Sequence, residues 1–446
     1  MLTRPESAEA RSAAGEATAP ALLEVRDVEV HFALRGGFLQ RMLGRDTGSV
    51  KAVDGVSFSL RRGEVLGLVG ESGSGKTTLG KAVLSLVRPT AGSVLLDGQV
   101  ISTLPEHLVR PLRRRMQPVF QDPHASLNPT MTLEEAIGHP LQIHHVGSTP
   151  DQRRALVAEA LERVGLVPVG RFMSKYPGEL SGGQRQRASI ARAIILGPDL
   201  VVADEPVSML DMSVRAKVLQ LMVDLKQELG LTYLYVTHDL ATARFFCDRV
   251  AIMYLGRIVE IGATDELYRN PRHPYTRALL EAIPEPDPEH RIPRRLPRGE
   301  VPDATVPPLG CSFHPRCLEA FGPCGWESRD LRNLLEMRWA ALGPDEFRKE
   351  RNVLGDLSGL SVPSLDVDVP AAPGHSGRDV ATLLDRHRKS DPDEPLWRGV
   401  AQMEPGPTGV RVRFRDHVEP VLTDEGAPGS ARVACHLYDR DLAEPS

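Results

Sequence analysis

The chain has 446 residues and a formal net charge of −5, with a pI near 6.3. This balance lacks the basic excess of nucleic-acid-binding proteins, and no stretch approaches the roughly 18 consecutive apolar residues of a membrane-spanning helix. Residues 1–20 have no apolar core, which argues against a secretory signal and predicts a disordered tail. Five cysteines without an export signal indicate reduced thiols in the cytosol.

The first predicted elements are strands that lead to a glycine-rich loop. Residues 22–32 alternate apolar and polar side chains, as a half-exposed strand does, and residues 53–60 predict a second strand. Residues 65–69 are continuously apolar, which is typical of a strand buried on both faces. A helix is predicted from Thr77 to Leu86. Between this strand and the helix lies a phosphate-binding loop, for which the predicted ATP contacts are Gly70, Glu71, Ser72, Gly73, Ser74, Gly75, Lys76, Thr77 and Thr78.

The residue types of this loop suit a nucleotide phosphate. Its glycines let backbone N–H groups converge on phosphate oxygens. Lys76 offers a positive charge to the β- and γ-phosphates, and the Thr77 hydroxyl can ligate Mg²⁺. A plain glycine-rich turn before a helix is the alternative, but the apolar strand leading into the loop favours phosphate binding.

The following segment predicts a helical subdomain inserted in an α/β core. From about residue 104 to 180 the pattern is mostly helical, with few β-branched runs. Residues 151–164 place one apolar stripe along a helix, formed by Leu156, Ala160, Leu161 and Val164. Apolar runs at residues 200–203 and 233–236 then predict buried strands of the core.

Acidic residues and a histidine follow these two strands. Asp204 and Glu205 stand where a buried strand ends, the usual place for ligand chemistry in parallel sheets. Asp204 is predicted to hold Mg²⁺ and Glu205 to act as general base for the attacking water. Adjacent carboxylates can also merely cap a helix, but their pairing with a phosphate loop favours catalysis. His238 lies at the end of the next strand.

The stretch Leu180-Ser181-Gly182-Gly183-Gln184 lies between the loop and the acidic strand. It predicts a second helix N-terminus that can bind phosphate through N–H groups and the Ser181 hydroxyl. With the four motifs in this order, the chain resembles the ATP-binding subunits of ABC transporters. The resemblance implies a P-loop NTPase fold that hydrolyses ATP with Mg²⁺. It also implies that a second subunit's ATP is contacted by Ser181, Gly182, Gly183, Gln184 and Asp211.

The same resemblance implies two further catalytic residues. His238 would bridge the γ-phosphate and the catalytic carboxylate, and Gln121 would contact Mg²⁺ and the attacking water. Met209 stands where the family usually has Ala, a mild departure. The aromatic residue that stacks on adenine is not identified, although Phe32 lies in roughly the right place.

Two segments resemble the oligopeptide and dipeptide importer branch of this family. They are Gln-Asp-Pro-His-Ala-Ser-Leu-Asn-Pro at residues 121–129 and His-Pro-Tyr-Thr-Arg-Ala-Leu at residues 273–279. A cysteine-rich tail is the third similarity. Over its full length the chain resembles the second ATPase subunit of such importers. The implied partners are a related but different ATPase subunit, two membrane permease subunits and, indirectly, an extracytoplasmic solute-binding protein.

Four cysteines form the predicted cysteine module: Cys311, Cys317, Cys324 and Cys435. In the family the fourth cysteine returns after a much shorter connection, so residues 327–418 are interpreted as an insertion. Four thiolates suit an iron–sulfur cluster such as [4Fe–4S], or zinc, while reduced cysteines in a small core are an equal alternative. Cys247 is predicted to be a packed core residue.

The sequence thus predicts an ATPase subunit of a peptide importer, peripheral to the cytoplasmic face of the cell membrane. Its predicted divisions are a tail at 1–20, the ATPase domain at 21–262, a C-terminal extension at 263–326, the insertion at 327–418 and a returning segment at 419–446. Three alternatives stay open. They are the same machinery carrying nickel, glutathione or another small solute, a soluble ABC ATPase, and a regulatory subunit without catalysis.

Overall fold

The computed structural model describes residues 20–34, 49–283, 297–423, 431–439 and 442. Most of the tail predicted at residues 1–20, and part of the proline-rich stretch after residue 283, lie outside these ranges. The chain divides into two compact units, Met1–Asn270 with Gly426–Ala431 and Pro271–Glu425 with Arg432–Ser446. No helix within the described ranges is long and apolar enough to cross a membrane.

The first unit contains an antiparallel sheet and a mainly parallel core sheet. The antiparallel sheet has the order β2-β1-β4-β5, and the core strands follow one another as β10-β9-β3-β8-β7-β6. The strands are β1 (Ala21–Ala33), β2 (Ser49–Arg61), β3 (Val65–Val69), β4 (Ala91–Leu96), β5 (Gln99–Val100), β6 (Met116–Val119), β7 (Leu200–Asp204), β8 (Thr232–Thr237), β9 (Arg249–Tyr254) and β10 (Arg257–Ala263).

Helices flank these strands in the first unit. They are α1 (Lys76–Val83), α2 (Glu106–Leu112), α3 (Pro123–Ser126), α4 (Leu133–Ile143), α5 (Pro150–Arg163), α6 (Val169–Met173), α7 (Gly182–Ile194), α8 (Met212–Leu229), α9 (Leu240–Phe246) and α10 (Thr264–Arg269). Thr132 begins α4 and Ser181 begins α7, each with a reciprocal capping box to the residue three positions on.

Burial along the strands follows the sequence pattern. Every residue of β3 and of β8 is buried, and β3 pairs in parallel with both β8 and β9. β1 alternates buried and more exposed positions over much of its length. The carboxyl ends of β3, β7 and β8 therefore lie side by side, and each is followed by one of the predicted motifs.

Two local features differ from the sequence-based expectation. Met116–Val119 forms a strand within the stretch expected to be mostly helical, and it extends the core sheet by pairing in parallel with β7. In α5 the buried side chains are Val157, Ala160 and Leu161, while Leu156 is only partly covered. Three of the four residues of the predicted stripe, Ala160, Leu161 and Val164, are therefore buried, and Val157 takes the place of Leu156 on the packed face.

The second unit combines the cysteine module with the whole of the predicted insertion, residues 327–418. Its elements are α11 (Pro274–Glu281), α12 (Ser328–Ala341), α13 (Pro344–Val353), β11 (Asp366–Pro370), α14 (Gly377–Ser390), α15 (Leu396–Gly399), β12 (Val400–Pro405), β13 (Gly409–Phe414) and β14 (Arg432–Val433). The strands β11, β13 and β12 form an antiparallel sheet in that order. Its core includes the fully buried side chains of Leu384, Val369 and Val410.

Close contacts join the insertion to the cysteine module inside this unit. The Trp326 indole N–H donates to the carbonyl of Phe321 at 2.9 Å. A Cβ at Gly399 would lie 2.1 Å from Trp326 Cδ1, so the glycine allows the backbone to pack against the indole. Arg298 donates two hydrogen bonds of 2.7 Å to the buried Glu394 carboxylate. The insertion is thus packed against the module within the second unit.

Candidate nucleotide site and cysteine module

The phosphate loop runs from the end of β3 to the start of α1. Gly73 and Gly75 have φ angles of 81° and 98°, which favour glycine. A Cβ at Gly70 would lie 2.1 Å from the carbonyl oxygen of Met253, and one at Gly75 would lie 1.9 Å from that of Ala52. The loop is therefore held in shape by close backbone packing and by the Ser74 N–H, which donates to the carbonyl oxygen of Glu71 at 3.2 Å.

Lys76 is buried at the base of this loop. Its Nζ donates to the carbonyl oxygens of Gly70 and Glu71 at 2.8 and 2.7 Å, and to Ser74 Oγ at 3.2 Å. Burial lowers the pKa of the lysine, although the carboxylates of Glu205 and Asp204 act in the opposite direction. The positive charge is thus positioned before any phosphate arrives.

Thr77 and Asp204 meet directly across the site. The Thr77 hydroxyl donates to Asp204 Oδ1 at 3.0 Å. Burial raises the pKa of the Asp204 carboxyl, and the nearby Glu205 carboxylate adds to this effect. A hydroxyl and a carboxylate oxygen are hard donors, the kind that Mg²⁺ prefers. These two residues therefore fit a Mg²⁺ ion bound next to the loop.

Glu205 is held by the two other predicted catalytic residues. His238 Nδ1 lies 3.0 Å from Glu205 Oε1, and Gln121 Nε2 donates to Glu205 Oε2 at 3.2 Å. Glu205 itself has a φ of 46°, uncommon for a non-glycine residue, and its N–H donates to Val236 at 2.8 Å. The three residues come from the ends of β6, β7 and β8, which the parallel pairing places side by side.

The Leu-Ser-Gly-Gly-Gln segment forms the exposed N-terminus of α7. The Gln184 N–H donates to Ser181 Oγ at 3.3 Å, and the Ser181 N–H donates to Gln184 Oε1 at 3.0 Å. A Cβ at Gly183 would lie 2.4 Å from Val214, so this glycine allows α7 to approach α8. Asp211 is exposed at the start of α8. Ser181 and Gly182 are also exposed.

A further ion pair, which no sequence motif predicts, lies next to His238 in the chain. Arg215 on α8 donates to Asp239 at 3.1 Å, and Asp239 caps α9 by accepting from Ala241. The pair connects the helix that follows Asp211 with the residue next to His238. The signal for it was weak, because an arginine on a helix usually only faces solvent.

All four cysteines of the module are free thiols. Cys311, Cys317 and Cys324 are buried, and Cys435 is partly exposed. Burial raises the pKa of Cys317 to about 12, with the neighbouring Cys311 adding to the shift. Burial also raises the pKa of Cys435, and all three other thiols contribute to that rise. The return of the chain after the insertion therefore brings Cys435 near the other three.

The distances between the sulfur atoms of these thiols indicate which metal group they can bind. Within the part of the chain that the structure describes, no three of their sulfur atoms lie within 4.8 Å of one another. A single tetrahedral zinc ion with bonds of about 2.3 Å would hold its sulfurs about 3.8 Å apart. Cys247 belongs to the first unit and is fully buried against Gly67.

His314 links the cysteine module to the insertion and was not singled out from the sequence. It is fully buried between Cys311 and Cys317 in the chain. One ring nitrogen lies 2.8 Å from the carbonyl oxygen of Cys311, and the other lies 3.0 Å from Asp330 Oδ2. Asp330 lies in the first turn of α12, so the insertion supports the backbone that carries the first two cysteines.

A phosphate-loop nucleotide-binding fold is defined by the strand order of the core sheet, together with the phosphate loop, the acidic residues after β7 and the histidine after β8. Comparison with known proteins adds the family. Residues 53–208 match the ABC transporter family, and residues 259–324 match the family described as oligopeptide/dipeptide transporter, C-terminal region.

Curated relatives share almost their whole length with this chain. A putative peptide import ATP-binding protein of Brucella ovis is 49% identical over 313 residues, which are 70% of this chain and 94% of the relative. The oligopeptide transport ATP-binding protein AppF of Bacillus subtilis is 49% identical over 306 residues, 68% of this chain and 91% of the relative. The chain therefore belongs to the ATP-binding subunits of ABC transporters, ATPases that bind ATP and Mg²⁺.

Proposed function

We propose that this chain is the ATP-hydrolysing subunit of an importer for oligopeptides or dipeptides. It binds at the cytoplasmic face of the membrane to two permease subunits and pairs with a second, different ATPase subunit. The observation that carries the proposal is the match of residues 259–324 to the C-terminal region of oligopeptide and dipeptide transporters. The names of the relatives, a putative peptide import protein in Brucella ovis and an oligopeptide transport protein in Bacillus subtilis, support it further.

The geometry around Glu205 supports a hydrolytic mechanism. Lys76 and the loop N–H groups bind the phosphates. Thr77, Asp204 and Gln121 would hold Mg²⁺, which would neutralise charge on the phosphate oxygens. Glu205 accepts a proton from the attacking water. His238 fixes one oxygen of Glu205 and Gln121 the other, at 3.0 and 3.2 Å, so the carboxylate is oriented before substrate arrives.

A second ATPase subunit would account for the exposed N-terminus of α7. The chain has one phosphate loop, while the N-terminus of α7 presents a second set of N–H groups and the Ser181 hydroxyl. The hydrogen bonds of Ser181 shown here stay within its own helical turn. We therefore assign Ser181, Gly182, Gly183, Gln184 and Asp211 to the ATP held by the partner.

Uptake by the assembled transporter tests the cargo. We expect the chain to co-purify from native membranes with two permeases and another ATPase. In proteoliposomes this complex should drive ATP-dependent accumulation of labelled di- or oligopeptides, and Lys76→Ala in this chain should reduce it strongly. Accumulation of nickel or glutathione without peptide would contradict the peptide assignment while leaving the ATPase intact.

We further propose that the cysteine module holds an iron–sulfur cluster. The proposal is supported by the four thiols and by the distances between their sulfur atoms. These distances are longer than those between four sulfurs bound to one zinc ion. Since burial raises the pKa of Cys317 to about 12, the metal-free module carries protonated thiols at neutral pH, and metal binding must release these protons. In the second unit the insertion packs beside the module where Gly399 lies against Trp326 and where Asp330 contacts His314.

Metal analysis of anaerobically purified protein tests this proposal. We expect iron and acid-labile sulfide in the unaltered chain, and at least a tenfold loss of both in Cys435→Ser because one of four thiolates is missing. Cys247→Ala, which changes a cysteine of the other unit, should keep the wild-type content. Zinc without sulfide, or no bound metal at all, would contradict the cluster.

A further inference from the structure

Three polar side chains meet on the antiparallel sheet of the first unit, away from the catalytic carboxylate. Glu29 and His31 are two positions apart on β1, so their side chains point to the same face of the strand. Asp54 lies on β2, which pairs with β1. One ligand atom from each of the three residues lies within 4.8 Å of the others, and within the described residues no other group of His, Cys, Asp or Glu meets this condition.

In this group, His31 Nε2 is positioned to bind a cation. His31 Nε2 is buried and makes no hydrogen bond. It lies 3.7 Å from Glu29 Oε2 and 3.5 Å from Asp54 Oδ1, beyond the usual hydrogen-bond limit of about 3.2 Å. Two ligands bound to one tetrahedral zinc ion at about 2.0–2.1 Å lie about 3.3–3.4 Å apart. The observed separations are therefore close to those of atoms that share a cation.

Arg257 fixes the position of the Asp54 carboxylate. Arg257 binds its other oxygen, Oδ2, at 2.9 and 2.8 Å, which leaves Oδ1 facing His31. The Lys51 ammonium lies 3.7 Å from Oδ1, on a side chain that is 41% exposed and free to turn toward water when a cation binds.

We propose that Glu29, His31 and Asp54 bind a divalent transition-metal cation, for which zinc is the best fit. One imidazole nitrogen and two carboxylate oxygens form a three-residue ligand set of the kind that zinc takes, with a fourth position open to water. The site contains no thiol, so it differs in chemistry from the cysteine module. It also differs from the proposed Mg²⁺ site, whose donors are hydroxyl, amide and carboxylate oxygens.

The position of this zinc site connects it to the phosphate loop. Ala52, two residues before Asp54, has its carbonyl against Gly75. The Asp54 N–H donates to Gly256 at 2.9 Å, and the Gly256 N–H donates to the carbonyl of Ser74 at 3.0 Å. A cation that joins β1 to β2 here would therefore fix the backbone segment on which the loop packs.

Cobalt titration of the full chain, without nucleotide or Mg²⁺, tests the site. Co²⁺ substitutes for zinc and gives visible d–d absorption bands in tetrahedral sites, with an additional sulfur charge-transfer band only where thiolates bind. We expect d–d bands without the sulfur band in protein whose cysteine module is already loaded or alkylated. His31→Gln should weaken Co²⁺ binding by about 10–100-fold. Removal of a residue that only supports a metal ligand costs this much affinity, and removal of a ligand itself should cost at least as much.

Two further variants make the result decisive. Glu29→Gln should weaken Co²⁺ binding in the same way, which guards against a folding defect specific to His31→Gln. His107→Gln, which removes an exposed histidine on α2, should leave the binding curve unchanged. If cobalt absorbs only with the sulfur band, or if both Glu29→Gln and His31→Gln bind like the unaltered chain, the three residues form only an ion-pair network and the proposal is wrong.

Discussion

Replacing Glu205 with glutamine should lower ATP turnover of the assembled transporter by about 10²–10⁴-fold, because glutamine cannot accept a proton from water. ATP binding should persist, since Lys76 and the loop glycines are unchanged. Glutamine keeps the shape of the side chain, but its NH2 group replaces one of the two oxygens that face His238 and Gln121. The variant should therefore accumulate in an ATP-bound, dimeric state that is visible by size-exclusion chromatography with radiolabelled ATP.

Two control variants are needed to interpret this result. Glu162→Gln removes the same charge from an exposed position on α5 and should turn over ATP at the normal rate. Lys76→Ala should instead weaken ATP binding itself, because the lysine contacts phosphate already in the ground state. Turnover close to normal in Glu205→Gln would show that another group takes the proton.

The sequence predicted this part of the site because its motifs are local. Each motif follows directly on a buried strand, and strands that pair in parallel present their carboxyl ends at one edge of the sheet. Once the apolar runs before Gly70, Asp204 and His238 were assigned to strands, their proximity followed. The position of β6 was missed because Met116–Val119 is short and contains a proline, so it has little strand signal.

Features that depend on distant pairing could not be read from the sequence. The meeting of Asp54 with Glu29 and His31 depends on the register between β1 and β2, which is interrupted by irregularities near these residues. The contact of His314 with Asp330 depends on how the insertion packs, and a lone buried histidine has no periodic signature. The return of Cys435 was inferred from family resemblance, not from any local pattern.

The assignment of Ser181 to the partner's ATP makes a combinatorial prediction. In a heterodimer with two intact sites, Lys76→Ala in this chain should disable the site that contains its own phosphate loop. Ser181→Arg should disable the other site, because a bulky cation blocks the α7 N-terminus. Either change alone should leave one site working, and both changes together in this chain should abolish turnover.

Loss of the helix cap has to be separated from loss of the shared site. Ser181→Ala removes both the hydroxyl and a cap to Gln184, and a lost cap costs about 1 kcal/mol of stability. Thr149→Ala removes a comparable cap on α5, where Thr149 accepts from Gln152 at 3.2 Å, without touching nucleotide. We expect Ser181→Ala to reduce turnover at one site and Thr149→Ala to reduce neither. Full ATPase activity of the isolated monomer, independent of concentration and partner, would contradict a shared site, since one chain would then supply every group that the reaction needs.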